Sequence, residues 1–414
     1  MKEKKEQIIC RENREVPDFS KGILTEEILW YFGRVTTPKL SPDGQQLLFG
    51  VKYFDYHANK GNLELYTMPI TGGEPIKITT TAQDEIEAIW RPDGKKIAYL
   101  FPDKEGVLQI WESNPDGKEL KQISHEKSDI TAFSYSPTQS HIVYSQNVRL
   151  DPTIAERYPD LPEANAKIYD DLMYRHWNSW ADGTYSHLFV APYPSLENPV
   201  DLLKGEKFQA PLPPFGGMEQ VAWSPDGEKL AYCCKQSFGK TFAESTNSDI
   251  FIYDLKTGNT TNISSFNLGY DLDPVFSPNG NYIAWLSMEK PGFESDKKRI
   301  IIHDFNSETT VDYSTTFDYS AENLVWNDKS NTLYFLSTIA ATNQIFELNL
   351  DLKRIKLLTQ GDHDYNSLLF AKDRLITTKT THAFPTEIFS ISLQDNKETQ
   401  LTFTNQPILD KITM

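Results

Sequence analysis

Catalysis needs a nucleophile with its base, a metal cluster, or acids at a useful spacing, and only acids are plentiful here, at 58 in 414 residues. No Gly-x-Ser-x-Gly elbow, phosphate-cradling glycine loop or His-Glu-x-x-His occurs. The eight histidines (His57, His125, His141, His176, His187, His303, His363, His382) lie one per region without metal-ligand spacing, and only His176 has an informative neighbourhood. Cys10, Cys233 and Cys234 form neither a disulfide framework nor a metal site. The adjacent pair reads as two packed thiols on opposite faces of one strand. One acidic set recurs ahead of an apolar stretch: Asp84, Glu85 and Glu87, then Asp129, Glu219, Asp271 and Asp273, Glu322, Asp362 and Asp364. Glu219 and Glu322 stand the same four residues ahead of Trp223 and Trp326. Gathered at one mouth of a channel, such acids would concentrate a cation such as a peptide N-terminus. Acids at strand starts also suit solvated turns, so both readings stay open.

The elements that would hold these acids are repeated. Ser41-Pro42-Asp43-Gly44 returns as Arg91-Pro92-Asp93-Gly94, Ser136-Pro137-Thr138-Gln139, Ser224-Pro225-Asp226-Gly227 and Ser277-Pro278-Asn279-Gly280. It degenerates to Asn327-Asp328-Lys329-Ser330 and Ala371-Lys372-Asp373. Successive starts are 50, 45, 88, 53, 50 and 44 residues apart, which makes seven units with one insertion. Proline presets φ for a tight turn and glycine supplies the positive φ. An apolar stretch ending in an aromatic precedes each turn, as in Ala88-Ile89-Trp90, and a strand such as Lys96-Ile97-Ala98-Tyr99 follows. A second hairpin runs to an outer strand ending in a pair such as Ile78-Thr79, Ile263-Ser264 or Leu401-Thr402. Four short antiparallel strands per unit describe a propeller blade. The fold class is all-β, a seven-bladed β-propeller of four-stranded antiparallel blades.

The long spacing places an excess of about 38 to 40 residues in the third blade, around 149–186, between its second and third strands. Within it, Pro162 to Met173 carries a helix pattern, with proline at a first helical position and Ile168 and Leu172 at i and i+4. A dense aromatic and charged segment follows: Tyr174, Arg175, His176, Trp177, Trp180, Asp182 and Tyr185. These residues either pin the excursion to the propeller rim or shape the mouth of its channel.

A net charge of −17 and a pI near 5.0 argue against nucleic acid and anionic membranes as partners. No apolar run approaches the roughly 18 residues that a membrane span needs. Met1 to Cys10 lacks the apolar core of a signal peptide. The compartment is therefore cytoplasmic, or periplasmic if a leader has been removed. No cofactor is implied.

The blade turns, the opening segment Leu24-Thr25-Glu26-Glu27-Ile28-Leu29-Trp30-Tyr31-Phe32-Gly33-Arg34-Val35 and the insertion's Tyr174-Arg175-His176-Trp177 together resemble the prolyl oligopeptidase family of serine peptidases. The likeness is to its bacterial dipeptidyl-peptidase-V and acylaminoacyl-peptidase branch, and it runs from about Ile23 to Met414. The blade turn alone is shared with TolB-like propellers. The resemblance implies a propeller that gates access of short peptides to an α/β-hydrolase domain with a Ser-Asp-His triad. No triad position lies in this chain. The expected organisation is a lead over 1–22, the propeller over 23–404 with its insertion at about 149–186, and a stub over 405–414 linking to a hydrolase domain truncated from this chain. The resemblance also implies a propeller carboxylate for the substrate's free α-amine, and Glu219, after Gly216-Gly217, is the candidate. Arg175, Trp177 and Trp180 are candidates to line the same cleft. The expected partners are short peptide substrates and that hydrolase domain. The competing reading is a stand-alone TolB-like propeller serving as a protein-interaction platform.

Overall fold

The computed structural model describes residues 13–414. The expectations for Cys10 and for the first part of the 1–22 lead fall outside the described residues. Seven antiparallel sheets follow one another along the chain, the blades of a seven-bladed β-propeller. Blade 2 is Ile86–Trp90, Ile97–Pro102, Leu108–Ser113 and Lys121–Gln122, paired in that order. Blade 4 repeats it with Val221–Trp223, Lys229–Cys234, Asp249–Asp254 and Thr260–Asn262, and blade 5 with Asp271–Phe276, Tyr282–Ser287, Arg299–Asp304 and Thr309–Asp312. In blades 1 and 7 the inner strand is broken in two: Arg34–Val35 with Lys39–Leu40, and Asp364–Tyr365 with Leu369–Ala371.

Side chains explain the repeat. In the first turn the Ser41 hydroxyl donates to Asp43 Oδ1 (2.6 Å) and accepts from the Gln46 amide (2.8 Å), while Gly44 takes φ +70°. At Ser277 the partner is Asn279 Oδ1, at 2.7 Å. In every blade but the third, where Leu202 stands instead, a Thr or Ser that ends the outer strand accepts the backbone N–H of the third strand 14 residues earlier: Leu65 to Thr79 and Ile250 to Ser264 at 2.9 Å, Ile300 to Ser314 at 3.0 Å, Ile388 to Thr402 at 2.8 Å. That amide is buried, so the hydroxyl replaces a water it cannot reach.

The chain forms two compact units, one of residues up to His125 with Thr332–Met414, the other Glu126–Asn331. In the first, Val51, Phe49 and Met68 of blade 1 share a core with Ile376, Ile388 and Leu401 of blade 7. In the second, blade 4 packs both ways. Cys234 lies among Val143, Leu188 and Tyr232, and Cys233 among Trp285, Ile301 and Ile250, so the two thiols do face opposite sides of one strand. Burial pushes both thiols upward, Cys234 to about 12, which leaves them unreactive packing groups.

The insertion corrects the sequence reading. Its one helical turn is Ile154–Arg157, started by a capping box between Thr153 and Glu156, and Pro162 to Met173 is irregular. Ile168 and Leu172 are 42% and 41% exposed, so no partner buries the apolar stripe that a short helix needs. A hairpin of Arg175–His176 and Ser179–Trp180 follows.

Candidate functional site

The segment carrying Glu219 is a tightly bonded loop ahead of Val221–Trp223. Gln220 is buried, and its Oε1 accepts the Leu212 amide at 2.8 Å. The Gly216 amide donates to the Leu212 carbonyl, also at 2.8 Å. A Cβ on Gly216 would sit 2.5 Å from that carbonyl oxygen and 2.6 Å from Gln220 Oε1, so only glycine fits. The loop thereby exposes Phe215 and Glu219, with Pro214 beside them. Glu219 Oε1 accepts the Gly217 amide at 2.6 Å, and Oε2 accepts no hydrogen bond from the described residues.

Two further acids of the second unit bear on Glu219. Asp273 occupies a bulge where the pairing register slips between Leu272 and Val275, and its φ is +52°. Burial, the Glu219 charge and the Glu322 charge push its carboxyl up to about 7, with Lys298 opposing. Lys298 Nζ lies 3.1 Å from Glu322 Oε1. Of the recurring acids, Glu219 and Glu322 are thus within electrostatic reach of Asp273. Other acids of the set have structural bonds. Asp84 accepts the Leu63 amide (2.6 Å) and pairs with Lys52, and Asp364 accepts the Asn343 amide (2.7 Å). Both acids reach back to the third strand of the preceding blade. Asp271 accepts from Trp285 Nε1 and Asn267 Nδ2 at 3.1 Å, and Glu85 accepts from the Thr81 hydroxyl at 2.6 Å.

The insertion delivers Trp177 to the Glu219 loop. Trp177 is the hairpin tip, 71% exposed with φ +54°, a left-handed conformation that a bulky side chain adopts at a cost. Its ring meets the Phe215 ring edge-on at 5.0 Å between centroids. Arg175 and Trp180 are not brought to Glu219. The Arg175 guanidinium lies 5.0 Å from the Trp180 ring, and its Nε donates to the Trp177 carbonyl at 3.0 Å, bracing the tip from behind. Trp180 stacks with Tyr169 and Tyr174, both at 6.3 Å. Sequence reasoning missed Phe215, whose signal was an exposed-type aromatic directly before Gly216-Gly217. It also missed the Gly239–Glu244 helix, signalled by the break in strand pattern after Cys234.

An exposed carboxylate on a loop that also carries an exposed aromatic ring can hold an ammonium group and an apolar neighbour. Among the described residues no three His, Cys, Asp or Glu side chains are grouped to hold a metal, and no helix is long and apolar enough to cross a membrane.

The sequence profile of the TolB beta propeller domain matches residues 25–182 and 220–408, and the chain belongs to that family. Its relatives include peptidases of the prolyl oligopeptidase type, and the chain is similar to their propeller portion. It is 35% identical over 392 residues to dipeptidyl-peptidase 5 of Porphyromonas gingivalis, covering 94% of this chain and 57% of the relative. Against dipeptidyl-peptidase 5 of Porphyromonas endodontalis the identity is 33% over 395 residues, with the same coverage. The chain thus spans a little over half the length of these relatives. An acylaminoacyl peptidase solved with Z-Gly-Gly-Phe-chloromethyl ketone shares the fold at TM-score 0.72 and 16% identity, over 94% of this chain and 55% of that one. The propeller domain of the Pyrococcus furiosus Trilobed protease, described as having an open velcro topology, matches at TM-score 0.60 and 16% identity over 91% and 98%.

Proposed function

We propose that this chain is the substrate-gating propeller of a serine exopeptidase acting on short peptides, whose catalytic triad belongs to an α/β-hydrolase domain of the parent polypeptide. One observation carries the reading: the exposed tip of the blade 3 insertion, Trp177, leans on Phe215 of the loop that holds Glu219. An excursion serving only to pin itself to the rim has no need to spend a strained, solvent-facing tryptophan beside an exposed carboxylate. Glu219 Oε2 would take the substrate's α-ammonium, and Trp177 and Phe215 would flank the first residue. Acylation removes the positive charge this arrangement needs, so a free N-terminus and a dipeptidyl-type activity fit better than an acyl-peptide one. The names of the 35% and 33% identical relatives support the same choice.

The test is calorimetric binding of a free tripeptide and its N-acetylated form to this chain and to Glu219→Gln. A charge-assisted contact worth about 1.5–3 kcal/mol predicts a loss of roughly 10- to 150-fold for free peptide in the variant, with acetylated peptide weak in both. Equal binding of free and acetylated peptide to the unaltered chain would remove Glu219 from this role.

A further inference from the structure

Within the second unit the insertion also rests over a buried cation. Lys235 follows the strand Lys229–Cys234 and is only 4% exposed. Its Nζ donates to the Phe242 carbonyl at 2.7 Å and to the Ser245 carbonyl, and lies 4.0 Å from the Phe242 ring centroid. These carbonyls end the Gly239–Glu244 helix, on which the insertion rests. The His176 ring meets Phe242 edge-on at 6.5 Å, and a Cβ on Gly239 would sit 2.3 Å from Asp171 Oδ2. His176 pairs with Ser179 in the hairpin whose tip is Trp177. A contiguous chain of contacts therefore runs from Lys235 through Phe242 and His176 to Trp177.

We propose that Lys235 is a positioning residue for Trp177, and that its burial beneath the helix links seating of the 175–180 hairpin to proton release. This goes beyond the peptide-binding reading and does not depend on it. Burial pushes the Lys235 ammonium down to about 8, with the Glu294 charge opposing. Burial also lowers His176, with Glu294 opposing and Lys235 reinforcing. The charged groups facing this cluster are Glu294, Asp171 of the insertion, the Lys240–Glu244 pair on the helix, Lys207 over Phe238, and Asp249 across from Cys234. A lysine stripped of its proton keeps two N–H donors for its two carbonyls, so deprotonation removes the desolvation cost and keeps both bonds. Lifting the hairpin and helix returns Lys235 to water, where its ordinary value is 10.5. The lifted state then binds more protons, so the seated state gains as pH rises from about 8 towards 10.5 and loses that gain as pH falls through 8. His176 acts in the same direction below its ordinary 6.5. Cys234, near 12, stays protonated across the upper window.

The experiment follows subtilisin nicking within residues 168–180 of the intact chain from neutral pH to about pH 10, relative to a free peptide of that sequence. Relative nicking should fall by ~10-fold or more over the upper window. Lys235→Met, which has no proton to exchange, and Lys235→Arg, which keeps its charge, should both lose the step. A flat profile in the unaltered chain, or a step that survives in either variant, overturns the proposal. Thermal unfolding checks that each variant is folded, and should Lys235→Met fail to fold, the other two profiles decide. No peptide is needed, so failure of the Glu219 reading would be seen separately.

Discussion

At Asp273 backbone and charge are both held away from their ordinary states. Its folded value of about 7 lies above the 3.8 of an unperturbed aspartate. Between these values the folded chain holds a proton that the unfolded chain has lost. The stability contribution is therefore full near pH 4, declines as pH rises, and is gone above about 7. Asp273→Asn keeps a side chain at ease with the left-handed φ and removes the ionisation. It should stabilise the chain by on the order of 1–3 kcal/mol near pH 8 and hardly at all near pH 4, read by urea unfolding at the two pH values. An equal effect at both would mean that burial and its charged neighbours do not hold this carboxyl above its ordinary value. An ammonium ligand at Glu219 would favour ionised Asp273, so its uptake should release part of a proton near neutral pH.

Among the elements, the hydroxyl that closes six of the seven blades is the clearest case of a sequence signal with a single physical cause. Ser314 is fully buried, accepts the Ile300 amide and donates to Asp312 Oδ1 at 2.7 Å. Ser314→Ala would strand a buried N–H and cost about 1–3 kcal/mol. Ser314→Thr should be nearly neutral, because threonine makes the same bond at Thr79, Thr359 and Thr402. Urea midpoints of the two variants test this, and a threonine as damaging as alanine would count against the bond. Blades were legible because every contact that defines them is local: turn, aromatic, and a hydroxyl at fixed spacing. The Glu219 to Trp223 spacing was legible for the same reason. The insertion was not. Its i, i+4 apolar pair at Ile168 and Leu172 promised a helix, but a helix of that length needs a buried face, and these side chains stay exposed. The meeting of Trp177 with Phe215 is a tertiary contact that no periodicity encodes. Likewise Lys235 reads as an ordinary strand-end lysine until the Gly239–Glu244 helix covers it.

Across the molecule, the first and last blades must be joined by something other than a shared strand, because among the described residues the seventh sheet is built from its own consecutive strands. The join is made in the first unit by side chains and one backbone bridge. Asn405 is fully buried; its Oδ1 accepts the Gly33 amide at 2.8 Å and its Nδ2 donates to the Gly33 carbonyl at 2.9 Å. The Asn405 amide in turn donates to Glu387 Oε1 of blade 7 at 3.0 Å. Ile28 and Phe32 pack on Ile408 beside it, and Ile23 bridges to Thr413. Gly33 admits no side chain, since a Cβ there would sit 2.8 Å from both Tyr53 and Val51. Asn405→Ala leaves both backbone groups of Gly33 buried without partners, at about 1–3 kcal/mol each. Asn405→Asp keeps the acceptor, loses the donor and buries a charge near Glu387, so it should be at least as damaging at neutral pH and recover towards acid pH as it takes up a proton. Calorimetric unfolding of the two variants near pH 5 and pH 8 reads both effects. If neither lowers the midpoint, the apolar packing of Ile28, Phe32 and Ile408 holds the blades together without the asparagine clasp.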